Sequence, residues 1–308
     1  MLKKLIKRLS TNRWALGFVR GGMEAVMESD HLEIDWVKMP KDCWMADPFV
    51  LDVTDNEILL FVEEMPYAVH KGIITLLHID RKSMKITSRK VLLETSTHLS
   101  FPTIWRKDGH IYIYPENAQS GKLDLYEFNA KKEELSFVKT ICDDVVWDSF
   151  ITEAFGEPLM FTAAQDDYHL DIYQWNKKKE RFVSCQQVIS DIKNSRMGGA
   201  VFEYKGQYYY PAQNCEKTYG GAIDIKRIDV MRRDKSLNEP HALNDVTFSF
   251  ETVKHIESPN KRYPLGLHTL NEYKGAVVID VKGYRYGWLG AVVSKLAKIK
   301  KQISHADK

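Results

Sequence analysis

One unit recurs five times along this 308-residue chain, and it constrains the fold more than any other feature. Each copy places a short apolar strand directly after a polar turn. Ile58–Val62 follows Asp55-Asn56-Glu57, and Ile111–Tyr114 follows Lys107-Asp108-Gly109. Pro158–Phe161 follows Phe155-Gly156-Glu157, Gln207–Tyr210 follows Tyr204-Lys205-Gly206, and Ala276–Ile279 follows Tyr273-Lys274-Gly275. Four of these turns contain the glycine that supplies the positive φ a tight hairpin needs. Upstream of each turn another strand opens on an unusual polar group: Ala46–Phe49, His98–Pro102, Trp147–Phe150, Ser195–Gly199 and Gly266–Thr269. The starts lie about 50 residues apart, stretching to about 70 across the insertion between Arg232 and Asp245. A four-stranded unit repeated five times at that period predicts an all-β, five-bladed β-propeller. The alternative is an irregular two-sheet β protein.

The fifth unit is too short to finish a blade alone. Leu32–Val37, which alternates apolar and polar residues, is expected to supply its outer strand. This predicts a propeller over residues 14–286 with a basic amphipathic segment at 1–13 and a basic amphipathic helix at 287–308. The formal net charge of +2 hides that division: residues 1–13 carry five basic and no acidic residues, and residues 282–308 seven and one. Residues 14–281 carry 32 basic and 41 acidic residues, a net of −9. An acidic body excludes a general nucleic-acid binder, which needs a broad basic face.

Leu2, Leu5, Ile6 and Leu9 recur at helical spacing with Lys3, Lys4, Lys7 and Arg8 opposite. Trp288, Leu289, Val292, Val293, Leu296 and Ile299 form a second stripe opposed by Lys295, Lys298, Lys300 and Lys301. Such helices predict contact with an anionic membrane surface, each Lys or Arg adding on the order of 1 kcal/mol. The alternative is that the stripes pack on the propeller or on a partner chain. Charges interrupt the first ten residues where a signal peptide needs an apolar core, and the longest run without Asp, Glu, Lys or Arg is the 11 residues Thr95–Trp105. Cys43, Cys142, Cys185 and Cys215 lie far apart with no CxxC pair and read as reduced thiols. The expectation is a cytoplasmic protein, peripheral on the inner face of the membrane.

In a propeller the first strand of each unit lines the axis, so distant strand starts converge. The converging set is Asp47, His98, Ser100, Asp148, Arg196 and His268. Acid, base and imidazole together suit a ligand with many hydroxyls, or a proton-transfer reaction. A second set lies past the second strands: Glu63, Glu64, Glu116, Gln165, Gln213 and Asn214, beside Tyr112, Tyr114, Trp147, Tyr209 and Tyr219. Aromatic rings cover the C–H faces of a sugar while carboxylates and carboxamides take its hydroxyls. There is no HExxH, no paired His at helical spacing and no Cys/His cluster, so neither a metal nor a cofactor is expected. A GxSxG elbow and a P-loop are likewise absent. Gly198-Gly199 and Gly220-Gly221 read as points of backbone crowding.

The run Ala46–Phe49, Phe61–Glu64, Lys71–Ile73, His98–Ser100, Tyr114–Glu116, Asp148, Arg196, Tyr210–Gln213 with Tyr219-Gly220, and Gly266–Leu270 resembles the N-terminal propeller domain of glucosamine inositolphosphorylceramide transferases. The resemblance covers about residues 14–286, and similar domains occur in bacterial polysaccharide-biosynthesis proteins. That family is in turn similar to the five-bladed propellers of glycoside hydrolase family 43. There the Asp of a first-blade Asp-Pro motif is the general base and a third-blade Asp tunes the acid. The resemblance implies Asp47 as base and Asp148 as tuning residue, and it adds Lys71 to His98, Ser100, Arg196, Gln213, Tyr219 and His268 as substrate contacts. The hydrolases take their general acid from a later inner strand, where this chain has Ser195-Arg196. Glu116 or Glu64 would have to substitute. In plant members sugar transfer is attributed to a separate C-terminal domain. The expected function is a carbohydrate-active propeller acting on a glycan or glycolipid intermediate of cell-surface polysaccharide synthesis, by glycosyl transfer or hydrolysis. The alternative is a non-catalytic glycan-binding or scaffolding module serving a membrane glycosyltransferase.

Overall fold

The computed structural model describes residues 12–164, 166–232, 246–293 and 295–296. The chain opens with β1 (Asn12–Val19), α1 (Gly22–Glu28) and β2 (Ile34–Trp36). The first blade is β3 (Cys43–Val53), β4 (Glu57–Pro66), β5 (Ile73–Asp80) and β6 (Lys85–Leu93). The second is β7 (Ser100–Lys107), β8 (His110–Glu116), β9 (Leu123–Asn129) and β10 (Glu134–Cys142). The third is β11 (Trp147–Thr152), β12 (Leu159–Ala163), β13 (His169–Asn176) and β14 (Arg181–Ile189). In the fourth the inner strand is split into β15 (Arg196–Met197) and β16 (Phe202–Tyr204), both paired to β17 (Gln207–Asn214), which leads to β18 (Ala222–Arg232) and β19 (Val246–Glu257). Finally β20 (Gly266–Tyr273) and β21 (Ala276–Tyr284) begin the fifth. The fold is the five-bladed propeller that the repeat predicts.

The fifth blade is completed by the other end of the chain. β1 pairs with β21 from Asn12 opposite Tyr284 to Val19 opposite Val277, and β2 adds the outer edge. The expected outer strand at Leu32–Val37 is therefore present as β2, but a third strand is contributed as well. β1 escaped notice because it is buried without a break from Trp14 to Val19. A strand buried on both faces carries no alternation to read. Arg13 consequently belongs to the ring. The stripe Leu2, Leu5, Ile6 and Leu9 lies outside the described residues, as do Ile299, Lys298, Lys300 and Lys301. Residues 287–293 are helical, with Trp288 78% exposed and Leu289 and Val292 also exposed; Leu296, just beyond, is exposed too. Among the described residues no helix is long and apolar enough to cross a membrane.

The core consists of apolar clusters wedged between neighbouring blades. The largest gathers Phe49, Phe61, Phe101, Phe161 and Tyr210. Phe49 meets Phe101 across the first two blades edge to face at 5.0 Å, and Phe61 meets Phe128 at 5.1 Å. Each such side chain contributes roughly 1.5–3 kcal/mol by leaving water. The apolar faces of the strands pack blade on blade, so the polar strand starts are left to the axis.

Those starts share a local irregularity. The pairing of inner with second strand slips between Ala46 and Phe49, between Ser100 and Thr103, between Trp147 and Phe150, and between Leu267 and Thr269. Each slip is a bulge at a candidate residue. Asp47, Phe101 and Asp148 take positive φ of 51°, 44° and 46° there. A bulge releases backbone N–H groups from the ladder, and these must find other acceptors. Carboxylates supply them across blade boundaries. Asp280 Oδ2 accepts the Asp47 N–H at 2.9 Å, Asp47 Oδ2 the Phe101 N–H at 3.0 Å, and Glu116 Oε2 the Asp148 N–H at 2.8 Å.

Candidate functional site

At the axis these residues enclose a cavity of about 220 Å³, lined by Asp47, Glu63, His98, Ser100, Glu116, Asp148, Arg196, Tyr219 and His268, with Trp14 and Trp44 as apolar walls. Two charged groups of different character face it.

The first joins the first and fifth blades. His268 Nδ1 lies 3.2 Å from both Asp47 Oδ1 and Asp280 Oδ2, and Nε2 lies 3.0 Å from the Tyr219 hydroxyl. The Nδ1–H is directed to Asp280. Burial alone would lower the pKa of His268, but the charges of Asp280 and Asp47 outweigh it and raise it well above the ordinary histidine value. The ring is an imidazolium donating from both nitrogens. Trp14 packs against it with ring centroids 4.6 Å apart. Asp280 is fully occupied, since its Oδ1 also accepts the Thr269 N–H at 2.7 Å. Asp47 is not: its Oδ1 is buried and accepts no hydrogen bond. Burial pushes the Asp47 carboxyl up, against the pull of His268. Asp47, His268 and Asp280 are also the one group among the described residues whose ligand atoms, within 4.8 Å of one another, could hold a metal ion.

The second group joins the third and fourth blades. Arg196 Nη1 donates to Asp148 Oδ2 at 2.9 Å and its Nε to Asp167 Oδ1 at 2.8 Å. Gln213 Nε2 adds a 2.9 Å bond to the same Asp148 oxygen and one of 2.8 Å to the Met197 carbonyl. Glu116 sits against this group. Burial and the nearby Asp148 charge drive its carboxyl well above the usual carboxylate range. Glu63 is pushed up to about 7, chiefly by burial, while His98 beside it, Nε2 to Oε1 3.2 Å, pulls the other way. Gly72 N–H donates to His98 Nδ1 at 3.0 Å, so the proton of the neutral ring sits on Nε2, toward Glu63.

Of the sequence-predicted residues, Asp47, His98, Ser100, Glu116, Asp148, Arg196, Tyr219 and His268 line one cavity, and Gln213 supports it from behind. Glu64 and Lys71 do not line it. Glu64 succeeds Glu63 on β4 and so points to the other face of the blade, where Arg89 grips both oxygens and Thr75 donates to one. It has no route to the axis as an acid. Lys71 is turned to Glu94, 3.0 Å away, and to the Thr95 carbonyl. Of the named aromatics, Tyr219 lines the cavity. Tyr114 is a core residue whose hydroxyl accepts the Ile151 N–H, Tyr112 packs on Trp105, and Tyr209 stacks on Phe202. Asn214 turns to Asp224, and Gln165 lies outside the described residues.

Sequence reasoning missed Trp14, Trp44, Asp167 and Asp280. Asp280 had a visible signal, a lone acid within the apolar run Val277–Val281. The glycine reading agrees with the geometry. A Cβ on Gly199 would lie 2.0 Å from the Leu270 carbonyl oxygen, and one on Gly220 would lie 2.6 Å from the His268 ring. Gly220 also has φ +60°, which glycine adopts without strain.

Comparison with known proteins agrees with this architecture. Residues 37–258 match the family described as glucosamine inositolphosphorylceramide transferase 1, N-terminal. Glucosamine inositolphosphorylceramide transferase 1 of Arabidopsis thaliana is 27% identical over 225 residues, 68% of this chain and 28% of the plant protein. Its counterpart in Oryza sativa subsp. japonica is 23% identical over 210 residues, 64% of this chain and again 28% of the relative. The match thus spans less than a third of these proteins' length. Among solved structures, a family 43 β-xylosidase/α-arabinofuranosidase from a compost microbial metagenome, in complex with xylotriose, superposes with a TM-score of 0.52 at 11% identity, over 80% of this chain and 92% of that one. The α-L-arabinofuranosidase of Clostridium thermocellum gives 0.50 at 13% identity, over 83% of each chain. At such identities the likeness is one of fold.

Proposed function

The chain belongs to the glucosamine inositolphosphorylceramide transferase 1 N-terminal family, and from that premise we propose that its axial cavity binds a terminal sugar of a glycan or glycolipid intermediate in cell-surface glycan synthesis. The observation that carries this reading is Asp47 Oδ1, a buried carboxylate oxygen without a hydrogen-bond donor in a cavity walled by Trp14 and Trp44. A sugar meets both needs, a hydroxyl for the oxygen and C–H faces for the indoles. At about 220 Å³ the cavity is smaller than the roughly 300–1,000 Å³ that holds a drug-sized ligand, which suits one sugar ring. The test is calorimetric titration of the full chain with neutral monosaccharides and short oligosaccharides, wild type against Asp47→Asn. Asparagine keeps an acceptor for the Phe101 N–H but loses the charge, so affinity should fall roughly tenfold or more. Equal affinity would remove Asp47 from the site.

A reaction at the same place has its own support. Glu116, its carboxyl raised by burial and by the charge of Asp148, lines the cavity together with Asp47. Burial raises the Asp47 carboxyl too, but the charge of His268 pulls it back while the charge of Asp148 pushes Glu116 further up. Two carboxyls driven apart in this way are the pattern of an acid–base pair. In that reading Asp47 takes the proton of an attacking hydroxyl as it bonds to the anomeric carbon. Glu116 then gives its proton to the departing glycosidic oxygen. Water as attacker gives hydrolysis and an acceptor sugar gives transfer. Mass spectrometry of lipid-linked oligosaccharides incubated with wild type and Glu116→Gln decides it, and no product from wild type leaves binding alone.

The proposal includes attachment to an anionic membrane surface from the cytoplasmic side. The exposure of Trp288, Leu289, Val292 and Leu296 supports it. Liposome flotation of the full chain against one lacking residues 288–308 tests it, and equal flotation would remove that helix as an anchor.

A further inference from the structure

A second cavity, of about 340 Å³, lies beside the axial one and has the opposite electrostatic character. Arg13, Lys41 and Arg285 line it, and no Asp or Glu does. Among the described residues none of the three cations is paired with a carboxylate. Arg13 has only a long 3.4 Å bond from Nη2 to the Tyr263 hydroxyl, and its Nε is buried without a partner. The Arg285 guanidinium lies over Tyr67, its Cζ 3.6 Å from the ring centroid. Such stacking orients a guanidinium while leaving its N–H edge for an anion. Elsewhere in the molecule arginines near acids are paired: Arg20 with Asp35, Arg89 with Glu64, Arg227 with Asp229 and Glu251. A walled pocket that gathers three unpaired cations, one with a buried unsatisfied donor, is built for an anion.

We infer that this pocket binds the phosphate of a phosphate-bearing ligand, held by Arg13 and Arg285 and attracted by Lys41. A planar guanidinium meets two phosphate oxygens at once, which neither a chloride nor a neutral sugar offers. The position agrees with such a ligand. Asn12 lies opposite Tyr284, so the chain enters and leaves the ring at this edge, and four more basic residues precede Asn12 in sequence. Trp14 is a wall of both cavities, which sets a phosphate here next to the axial sugar position. A lipid headgroup and a soluble sugar phosphate share this chemistry.

The experiment uses the full chain at low salt with inorganic phosphate and a hexose 1-phosphate by calorimetry, and vesicles of phosphatidylcholine with and without phosphatidylglycerol by co-sedimentation. Neither inorganic phosphate nor the vesicles contain a sugar, so those two arms are independent of the axial reading, and the hexose 1-phosphate counts only where its binding falls with Arg13 and Arg285 replaced. Wild type is expected to bind at least one phosphate probe, the soluble arm or the anionic vesicles naming the source. Arg13→Gln with Arg285→Gln should weaken that binding roughly tenfold or more. Lys41→Gln changes an exposed side chain, and should weaken it a few-fold even if the double variant fails to fold. The inference is overturned if wild type binds neither kind of probe, or if a folded double variant and Lys41→Gln both bind as wild type does.

Discussion

The two sides of the axis use the same materials to different ends. On the third- and fourth-blade side, Asp148 and Asp167 share Arg196, and Gln213 occupies the same Asp148 oxygen that Arg196 takes. On the first- and fifth-blade side, Asp47 and Asp280 share His268, but Asp47 Oδ1 receives no donor. A guanidinium offers enough donors to satisfy two carboxylates; an imidazolium has two, and here one goes to Asp280 and the other to Tyr219. The first side is a clamp and the second a receptor. Burial is nearly equal, with Asp47 2% and Asp148 3% exposed, so burial alone does not mark a ligand site. Donor arithmetic does.

The largest effect should come from breaking the clamp. Arg196→Met leaves Asp148 and Asp167 without their cation, and should cost about 3–5 kcal/mol in urea unfolding. A loss below about 1 kcal/mol would mean that the two carboxylates are not held as ions. His268→Gln removes the cation of the other side with a cost that depends on pH. Because the folded value of His268 is raised, its stabilisation is complete below the unfolded value of 6.5 and is lost as pH rises through the folded one. The stability gap between wild type and His268→Gln should therefore be widest in acid and narrow toward alkaline pH, whereas the Arg196→Met gap should not narrow there. Parallel pH profiles for the two variants would erase the distinction between the sides.

Gly220→Ala probes the receptor through its backbone. The new Cβ meets the His268 ring at a positive φ, and should cost about 1–3 kcal/mol and weaken sugar binding as the ring shifts. Asp47→Asn should cost less stability, about 1 kcal/mol, because the Phe101 N–H keeps an acceptor, while losing most sugar affinity. A large stability loss with binding intact would make Asp47 a structural residue only. The smallest effect belongs to Lys71→Ala, which breaks a pair with Glu94 away from the cavity. It should change stability by about 0–1 kcal/mol in thermal unfolding and leave sugar affinity alone. Lost affinity there would place the ligand beyond the cavity described.

The five blades and most of the axial residues were legible because both follow from local, repeated signals. A turn every 50 residues or so sets the blades, and polar groups where packing would favour apolar ones set the axis. What escaped depends on pairings distant in sequence. Glu63 and Glu64 are adjacent and chemically alike, yet only the register of β4 sends the first to the cavity and the second to Arg89. Trp14 becomes a wall of the site because β1 crosses to β21, more than 250 residues away in the chain.

By itself, then, the sequence determined the period, the number of blades and the kinds of side chain brought to the axis, since hydrophobic pattern and turn chemistry act over a few residues. Only the tertiary structure decided which carboxylate is satisfied and which is open, that Arg196 holds Asp148 and Asp167 together at the cavity wall, and that Arg13 and Arg285 face a common pocket without acids. Those outcomes depend on bulge phase and ring closure, which set where each donor points once every blade has met its neighbours.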